Sequence, residues 1–252
     1  MLPPEAGAFL FFVLGAVLGS FANVIILRLP AGENIALPAS HCAACNAPVA
    51  WYDNLPLISW IVLRGRCRKC GARFSFRYWV VEFLTAVLFS LAFLKLGWTF
   101  SLLETLIFFF GLVVVTFIDF DHYLLPDVFT LPGTALGILG SFLNPQRTVI
   151  DSALGAFFGA GFLWSLAYLY ALIRKEEGLG MGDVKLLAWI GAVLGWSAIP
   201  FVILTSSLSG SVVGLAVAYR QKKGLKTMIP YGPYLAFGAV LYRLAGESLA
   251  QG

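Results

Sequence analysis

Phe108-Phe-Phe-Gly-Leu-Val-Val-Val-Thr-Phe-Ile118 carries no charge, and the next residue is Asp119. An apolar run closed by a single carboxylate suits the end of a membrane span, where an ionisable group is solvated at the surface or buried for a purpose. Extended backwards, the run covers 99–118, about the 20 residues needed to cross the hydrocarbon core. Similar runs lie at 7–27, 78–96, 128–143, 149–172, 184–195, 201–219 and 229–248. The sixth, 184–195, is short, and Trp196–Pro200 is the expected break before the seventh. The predicted fold is all-α and polytopic, with about eight transmembrane helices.

Composition supports this. Of 252 residues, 60% are hydrophobic and 12% charged, with a mean hydropathy of +0.87. A soluble domain carries about 25% charged residues, so there is too little polar surface here for a water-soluble globule. The net charge of +4 is spread over the ends of apolar runs and forms no basic face, which argues against nucleic acid as a partner. Only Glu5 precedes the first run, with no basic segment before it and Arg28 after it. That run therefore reads as a retained helix and not a cleaved signal.

Lysine and arginine set the orientation. Arg28, Arg64, Arg66, Arg68, Lys69, Arg73 and Arg77 lie in 28–77. Arg174, Lys175 and Lys185 flank the loop after the fifth run, and Arg220, Lys222, Lys223 and Lys226 follow the seventh. The opposite side holds Lys95 and Arg147, with Arg243 near the C-terminal end of the last run. Positive residues mark the cytoplasmic side. Loops 28–77, 119–127, 173–183 and 220–228 are thus expected in the cytoplasm, with both termini outside.

All four cysteines fall in 28–77, the one substantial soluble insertion, as Cys42-x2-Cys45 and Cys67-x2-Cys70 with 21 residues between the pairs. Two CxxC turns aimed at one ion are the signature of a four-thiolate zinc site. Such a site would be structural, because four thiolates leave no position for water. Disulfides or a redox pair are the other use of this pattern, and cytoplasmic thiols stay reduced. His41 adjoins the first pair, either as a substitute ligand or as a solvated loop residue.

Among the acids, Asp119, Asp121, Asp127 and Asp183 are the informative ones, with Glu82 and Glu104 deeper in their spans. Asp183 follows Gly180-Met-Gly at the expected start of the sixth run, and Asp119 ends the third. Both reach the same membrane depth on the same side. Two close aspartates share a proton, so that one acts as base on a water while the other polarises a carbonyl. Capping is the plain alternative for Asp183 and Asp127. Asp119 opposes its own helix dipole, so capping does not account for it. Gly180 and Gly182 leave room for close backbone approach, and Asp121 and Asp127 read as loop, capping or supporting residues. A proton-coupled transporter uses similar carboxylates, but it calls for internal repeats and midplane acids. A membrane scaffold with a metal loop leaves Asp119 without a role.

Gly180-Met-Gly-Asp183 resembles the GxGD motif of intramembrane aspartyl proteases. Asp119-Phe-Asp-His-Tyr-Leu-Leu-Pro-Asp127 is similar to the first aspartate motif of bacterial type IV prepilin peptidases. Gly19-Ser-Phe-Ala-Asn-Val-Ile-Ile-Leu-Arg-Leu-Pro30, the cysteine loop, Arg77-Tyr-Trp-Val-Val-Glu82 and Tyr231-Gly-Pro-Tyr234 resemble other motifs of that family, in order along nearly the whole chain.

The resemblance implies two activities at the bacterial inner membrane. One is removal of the basic leader of a type IV prepilin or pseudopilin, after a glycine, by catalytic Asp119 and Asp183. The other is methylation of the new N-terminus with S-adenosylmethionine. It implies a methyltransferase part in 1–97, including the loop 28–77, and a membrane aspartyl protease domain in 98–252. Asn23, Arg28 and Glu82 are cofactor-binding candidates by motif position alone, since no glycine-rich cofactor fingerprint is present. Helix packing, interfacial anchoring and an intramembrane hydrogen bond are their plain alternatives.

Overall fold

The structure, a computed structural model, describes residues 3–37, 40–175, 180–221 and 229–246. Lys222, Lys223 and Lys226, counted above as cytoplasmic charges, and residues 247–248 of the last expected span lie outside the described residues. The helices are α1 (Pro4–Arg28), α2 (Ile58–Val62), α3 (Arg77–Leu96), α4 (Phe100–His122), α5 (Asp127–Gly140), α6 (Val149–Arg174), α7 (Met181–Leu194), α8 (Ala198–Gln221) and α9 (Gly232–Leu241). A 3-10 turn covers Trp51–Asn54, and a π-helical turn, Tyr242–Gly246, continues α9. Among the described residues the only β pairing is two isolated bridges, His41 with Pro48 and Arg66 with Arg73.

This is an all-helical polytopic membrane protein. Five helices, α1, α3, α4, α6 and α8, are long and apolar enough to cross a bilayer. The other three expected spans coincide with shorter helices: α5 and α7 have 14 residues each and α9 has 10. Of the boundaries that differ from expectation, three matter for the candidate site and the span count. α4 runs on to His122, which puts Asp119 in its last turn. α7 starts at Met181, so Asp183 lies inside its first turn. The break before α8 is Gly195 to Ser197, with Gly195 at φ +85°. Pro200 does not break that helix. It occupies the first turn, where a missing N–H leaves no intrahelical bond unmade.

The chain packs as two compact units, Met1–Val114 and Val115–Gly252. In the first, α1 and α3 run antiparallel along a shared seam. A Cβ added to Gly15 would lie 2.7 Å from Ala86 Cα, and one on Gly19 would lie 2.7 Å from Glu82 Cα. Small residues allow this approach, which helices in lipid use in place of a hydrophobic driving force. Hydrogen bonds stitch the seam: Ser90 Oγ donates to the Ala8 carbonyl at 3.1 Å and Asn23 Nδ2 to the Tyr78 carbonyl at 3.0 Å.

In the second unit α7 is central, with Leu186, Leu187 and Ile190 fully buried, and it packs against α5 and α6. Gly155 of α6 and Gly191 of α7 meet so closely that a Cβ on either would overlap the other's carbonyl oxygen. α6 begins with a capping box in which Thr148 Oγ1 accepts the Asp151 N–H at 3.1 Å and Asp151 Oδ2 accepts the Thr148 N–H at 3.2 Å. Outward faces are apolar too: Phe157, Ile173 and Leu204 are each 70% exposed, as lipid contact requires.

Arg147 ties the C-terminal ends of α5 and α7 together. Its guanidinium donates to the Gly137 carbonyl at 2.6 Å, to the Val193 carbonyl, and to Ser152 Oγ at 3.3 Å. Ser152 Oγ itself donates to the carbonyls of Gly137 and Ala192. A cation there satisfies terminal carbonyls and the negative ends of two helix dipoles. Arg147→Met keeps most of the stem and removes the donors. It is expected to cost on the order of 2–4 kcal/mol and to lower the unfolding midpoint in detergent by roughly 5–10 °C. A midpoint equal to wild type would show that other donors serve these carbonyls.

Candidate active site and metal centre

Asp119 is 5% exposed, and its Oδ2 accepts the backbone N–H of Gly232 at 3.1 Å. This resolves its conflict with the α4 dipole. The carboxylate ends its own helix on the unfavourable side but meets the N-terminus of α9, where free N–H groups and the positive dipole end favour an anion. A side chain at 232 would block the contact, since a Cβ there would lie 2.7 Å from Asp119 Oδ2.

Asp183 is 9% exposed. Gly180 occupies the N-cap of α7, and no side chain caps the helix. The capping alternative for Asp183 is therefore not what this geometry uses. Its Oδ1 is buried with no hydrogen-bond partner. The two carboxylates, 64 positions apart in sequence, interact electrostatically. Leu125 links their surroundings: a Cβ on Gly182 would lie 2.9 Å from Leu125 Cβ, and one on Gly232 would lie 3.1 Å from Leu125 Cδ2. The space left by Gly182 is thus filled by Leu125, while a Cβ on Gly180 would come no nearer than 3.6 Å, to Asp183 Oδ2. Asp127 stands apart. Its exposed carboxylate accepts Lys185 Nζ at 2.7 and 2.9 Å, a bridge from the start of α5 to α7. Asp121 is exposed.

The four cysteine sulfurs of the first unit lie within 4.8 Å of one another, with Cys42 and Cys70 at 3.8 Å. A tetrahedral ion with metal–sulfur bonds of about 2.3 Å needs sulfur–sulfur edges of about 3.8 Å, so the donor set fits. None of the four is in a disulfide. The two turns are built alike. Cys42 N–H donates to Ala47 and Asn46 N–H to Cys42; Cys67 N–H donates to Ala72 and Gly71 N–H to Cys67. Asn46 (φ 54°) and Gly71 (φ 73°) take the same left-handed position after the second cysteine of each pair. The backbone N–H groups of Ala44 and Cys45 hold the Cys42 thiol down to about 6, which favours the thiolate a metal binds.

Asn23, Arg28 and Glu82 line one cavity of about 400 Å³, together with Ser20, Trp60 and Tyr78. His41 and Ala43 of the first knuckle also line it. Arg28 is 8% exposed, and its guanidinium donates to the Asn34 carbonyl at 3.1 Å. Glu82 Oε2 accepts the Leu57 N–H at 2.7 Å. The size lies within the range of small-molecule sites.

A model of the Bacterial Peptidase A24 N-terminal domain matches residues 13–96, and one of the Type IV leader peptidase family matches residues 106–215. The Prepilin leader peptidase/N-methyltransferase of Aeromonas hydrophila is 38% identical over 266 residues, covering 96% of this chain and 92% of the relative. The chain belongs to the type IV leader peptidase family. A Pseudomonas aeruginosa protein of the same description is 35% identical over 98% of the chain and 93% of its own length, and one from Myxococcus xanthus is 41% identical over 82% and 62%. No solved structure matches. Membership does not favour the transporter alternative. Within this family member, sequence reasoning gave no role to Gly232, Leu125 or Leu57. Pro233, at the start of α9, marked a helix N-terminus at the first of these, but nothing local linked it to Asp119.

Proposed function

We propose that the chain removes the basic leader of a type IV prepilin or pseudopilin after a glycine, and then methylates the new N-terminus. The observation that carries the protease reading is the unpartnered, buried Oδ1 of Asp183 beside Asp119. A buried polar atom without a partner is costly and calls for a use. Asp119, which already accepts the Gly232 N–H, acts as base. It takes a proton from water as the oxygen attacks the scissile carbonyl. Asp183 holds the shared proton and donates a hydrogen bond to the carbonyl oxygen. As the C–N bond breaks, Asp119 passes the proton it took from water to the amide nitrogen, which leaves as a neutral amine, and the pair returns to its shared-proton state. Gly180, Gly182 and Asp127 support the ends of α5 and α7 that shape this site.

Methylation belongs on this reading to region 1–97, and the cavity of Asn23, Arg28 and Glu82 is where S-adenosylmethionine would be held, supplying the methyl group. The four-thiolate cluster takes structural Zn²⁺. We further read the eight apolar helices as eight passes through the bacterial inner membrane, with Asp119, Asp183 and the cysteine insertion on the cytoplasmic side. The orientation rests on the charge distribution, and it brings the site to where a basic leader meets an apolar mature segment.

The test is incubation of purified protein with a prepilin bearing a Lys-rich leader and a Gly-Phe junction. Mass spectrometry should show cleavage after glycine, and an added methyl when S-adenosylmethionine is present. An intact precursor from a folded preparation would overturn the protease reading.

A further inference from the structure

We infer that residues 55–63, inside the insertion expected to be soluble, form a re-entrant segment lying in the headgroup–acyl boundary of the bilayer. The stretch Leu55-Pro-Leu-Ile-Ser-Trp-Ile-Val-Leu63 has no charge. α2 splits it into two faces. Ser59 is buried and Trp60 half-buried, while Ile58, Ile61 and Val62 are 58%, 59% and 67% exposed. Water is a poor solvent for that outer face.

Its depth is set by contacts with a membrane-crossing helix. Leu57 N–H donates to Glu82 at 2.7 Å, and Glu82 lies in the second turn of α3, about 7.5 Å along the axis from Arg77 at 1.5 Å per residue. Trp60 packs edge-on against Phe76, just before α3, at 5.1 Å. The segment therefore lies beside the first two turns of α3, the depth at which interfacial helices sit, about 5–10 Å into the boundary. It is held there firmly. Leu57 adopts φ 64°, ψ −46°, with Ile58 N–H donating to the Pro56 carbonyl at 2.7 Å. This is a γ-turn that a leucine adopts only under constraint.

The flanks suit a lipid partner. Arg64 and Arg66 are exposed immediately after the segment, placed to meet anionic headgroups. Trp51, 78% exposed before it, is the residue type found in the interfacial aromatic belt. The occupant of the outer face is thus the bilayer itself.

The inner face has a second consequence, which rests on the cavity being the methylation site. Leu55, Ser59, Trp60 and Leu63 line that cavity. Its wall therefore lies at the membrane surface, and an acceptor whose N-terminus continues as an apolar bilayer segment enters without being drawn into water.

Photo-crosslinking tests the depth. p-Benzoylphenylalanine replaces Ile61 in the full-length protein in nanodiscs of phosphatidylethanolamine and phosphatidylglycerol, and mass spectrometry reads lipid adducts after illumination. Leu94, 56% exposed on α3, is the acyl-contact reference, and exposed Lys69 of the second knuckle is the aqueous one. Adducts at Ile61 should match those at Leu94 and exceed those at Lys69 on the order of tenfold. An Ile61 signal equal to that of Lys69 overturns the proposal. Glu82→Gln, assayed for methylation of a pre-cleaved peptide, separates the two claims: adducts at Ile61 with full methylation in that variant would leave the depth standing and remove the cavity as the methylation site.

Discussion

Asp119→Asn and Asp183→Asn each lower cleavage of a prepilin by about 10³-fold or more, while methylation of a peptide already carrying a free N-terminal phenylalanine continues. The substitution keeps the shape of each side chain and removes only its ability to hold or take a proton. At position 119 the amide oxygen still accepts the Gly232 N–H, so the junction between α4 and α9 keeps its bond. At position 183 the change replaces a carboxyl group whose Oδ1 has no hydrogen-bond partner, so little binding energy is lost to folding. Unfolding midpoints close to wild type would separate loss of chemistry from loss of structure. Either variant keeping more than about a tenth of wild-type cleavage would remove that residue from the proton-sharing pair, since general acid–base groups contribute 10²–10⁴-fold.

Purified wild-type protein is expected to carry one tightly bound zinc, and Cys42→Ser or Cys67→Ser to lose it. The expected effect is large, because four-thiolate sites supply about 10–16 kcal/mol of apparent binding free energy that becomes folding free energy. Each variant removes one corner of a cluster whose sulfurs all lie within 4.8 Å. Both knuckles should then open to limited proteolysis within residues 28–77, and methylation should fall because His41 and Ala43 line the cavity. Cleavage should persist, since no step at Asp119 and Asp183 uses a metal. Elemental analysis finding no zinc in the wild type would end this account, and loss of cleavage in a cysteine variant that stays folded would contradict the separation of the two activities.

Apolar length was readable from residue order because a bilayer demands it directly. The expected 78–96 and the observed Arg77–Leu96 differ by one residue. The paired CxxC turns were equally plain, since both knuckles are local. Faces were not readable. In α6, buried Leu163 and exposed Phe157 and Ile173 are all apolar, because lipid and protein interior select the same side chains and periodicity is lost. Pro200 was misread as a break because a proline in the first turn and one between helices look alike in sequence. Arg147 was counted only as a topology charge, although its guanidinium donates to two carbonyls and a hydroxyl. Glu82 and Leu57, or Asp119 and Gly232, meet through space across 25 and 113 positions, and no local pattern encodes such pairs.

α5 presents Leu131, Leu136 and Leu139 to the outside, more than half exposed, over a helix of only 14 residues. That is about 21 Å at 1.5 Å per residue, against a hydrocarbon core of about 30 Å. Phe142 and Leu143 add apolar surface beyond its end without restoring the whole difference. On the proposed eight-pass reading, lipid beside this helix would thin to match it, and headgroups and water would come closer to the Asp127 end, where Lys185 joins α5 to α7. On that reading hydrophobic mismatch would let hydrolytic water reach a depth where a bilayer of ordinary thickness excludes it.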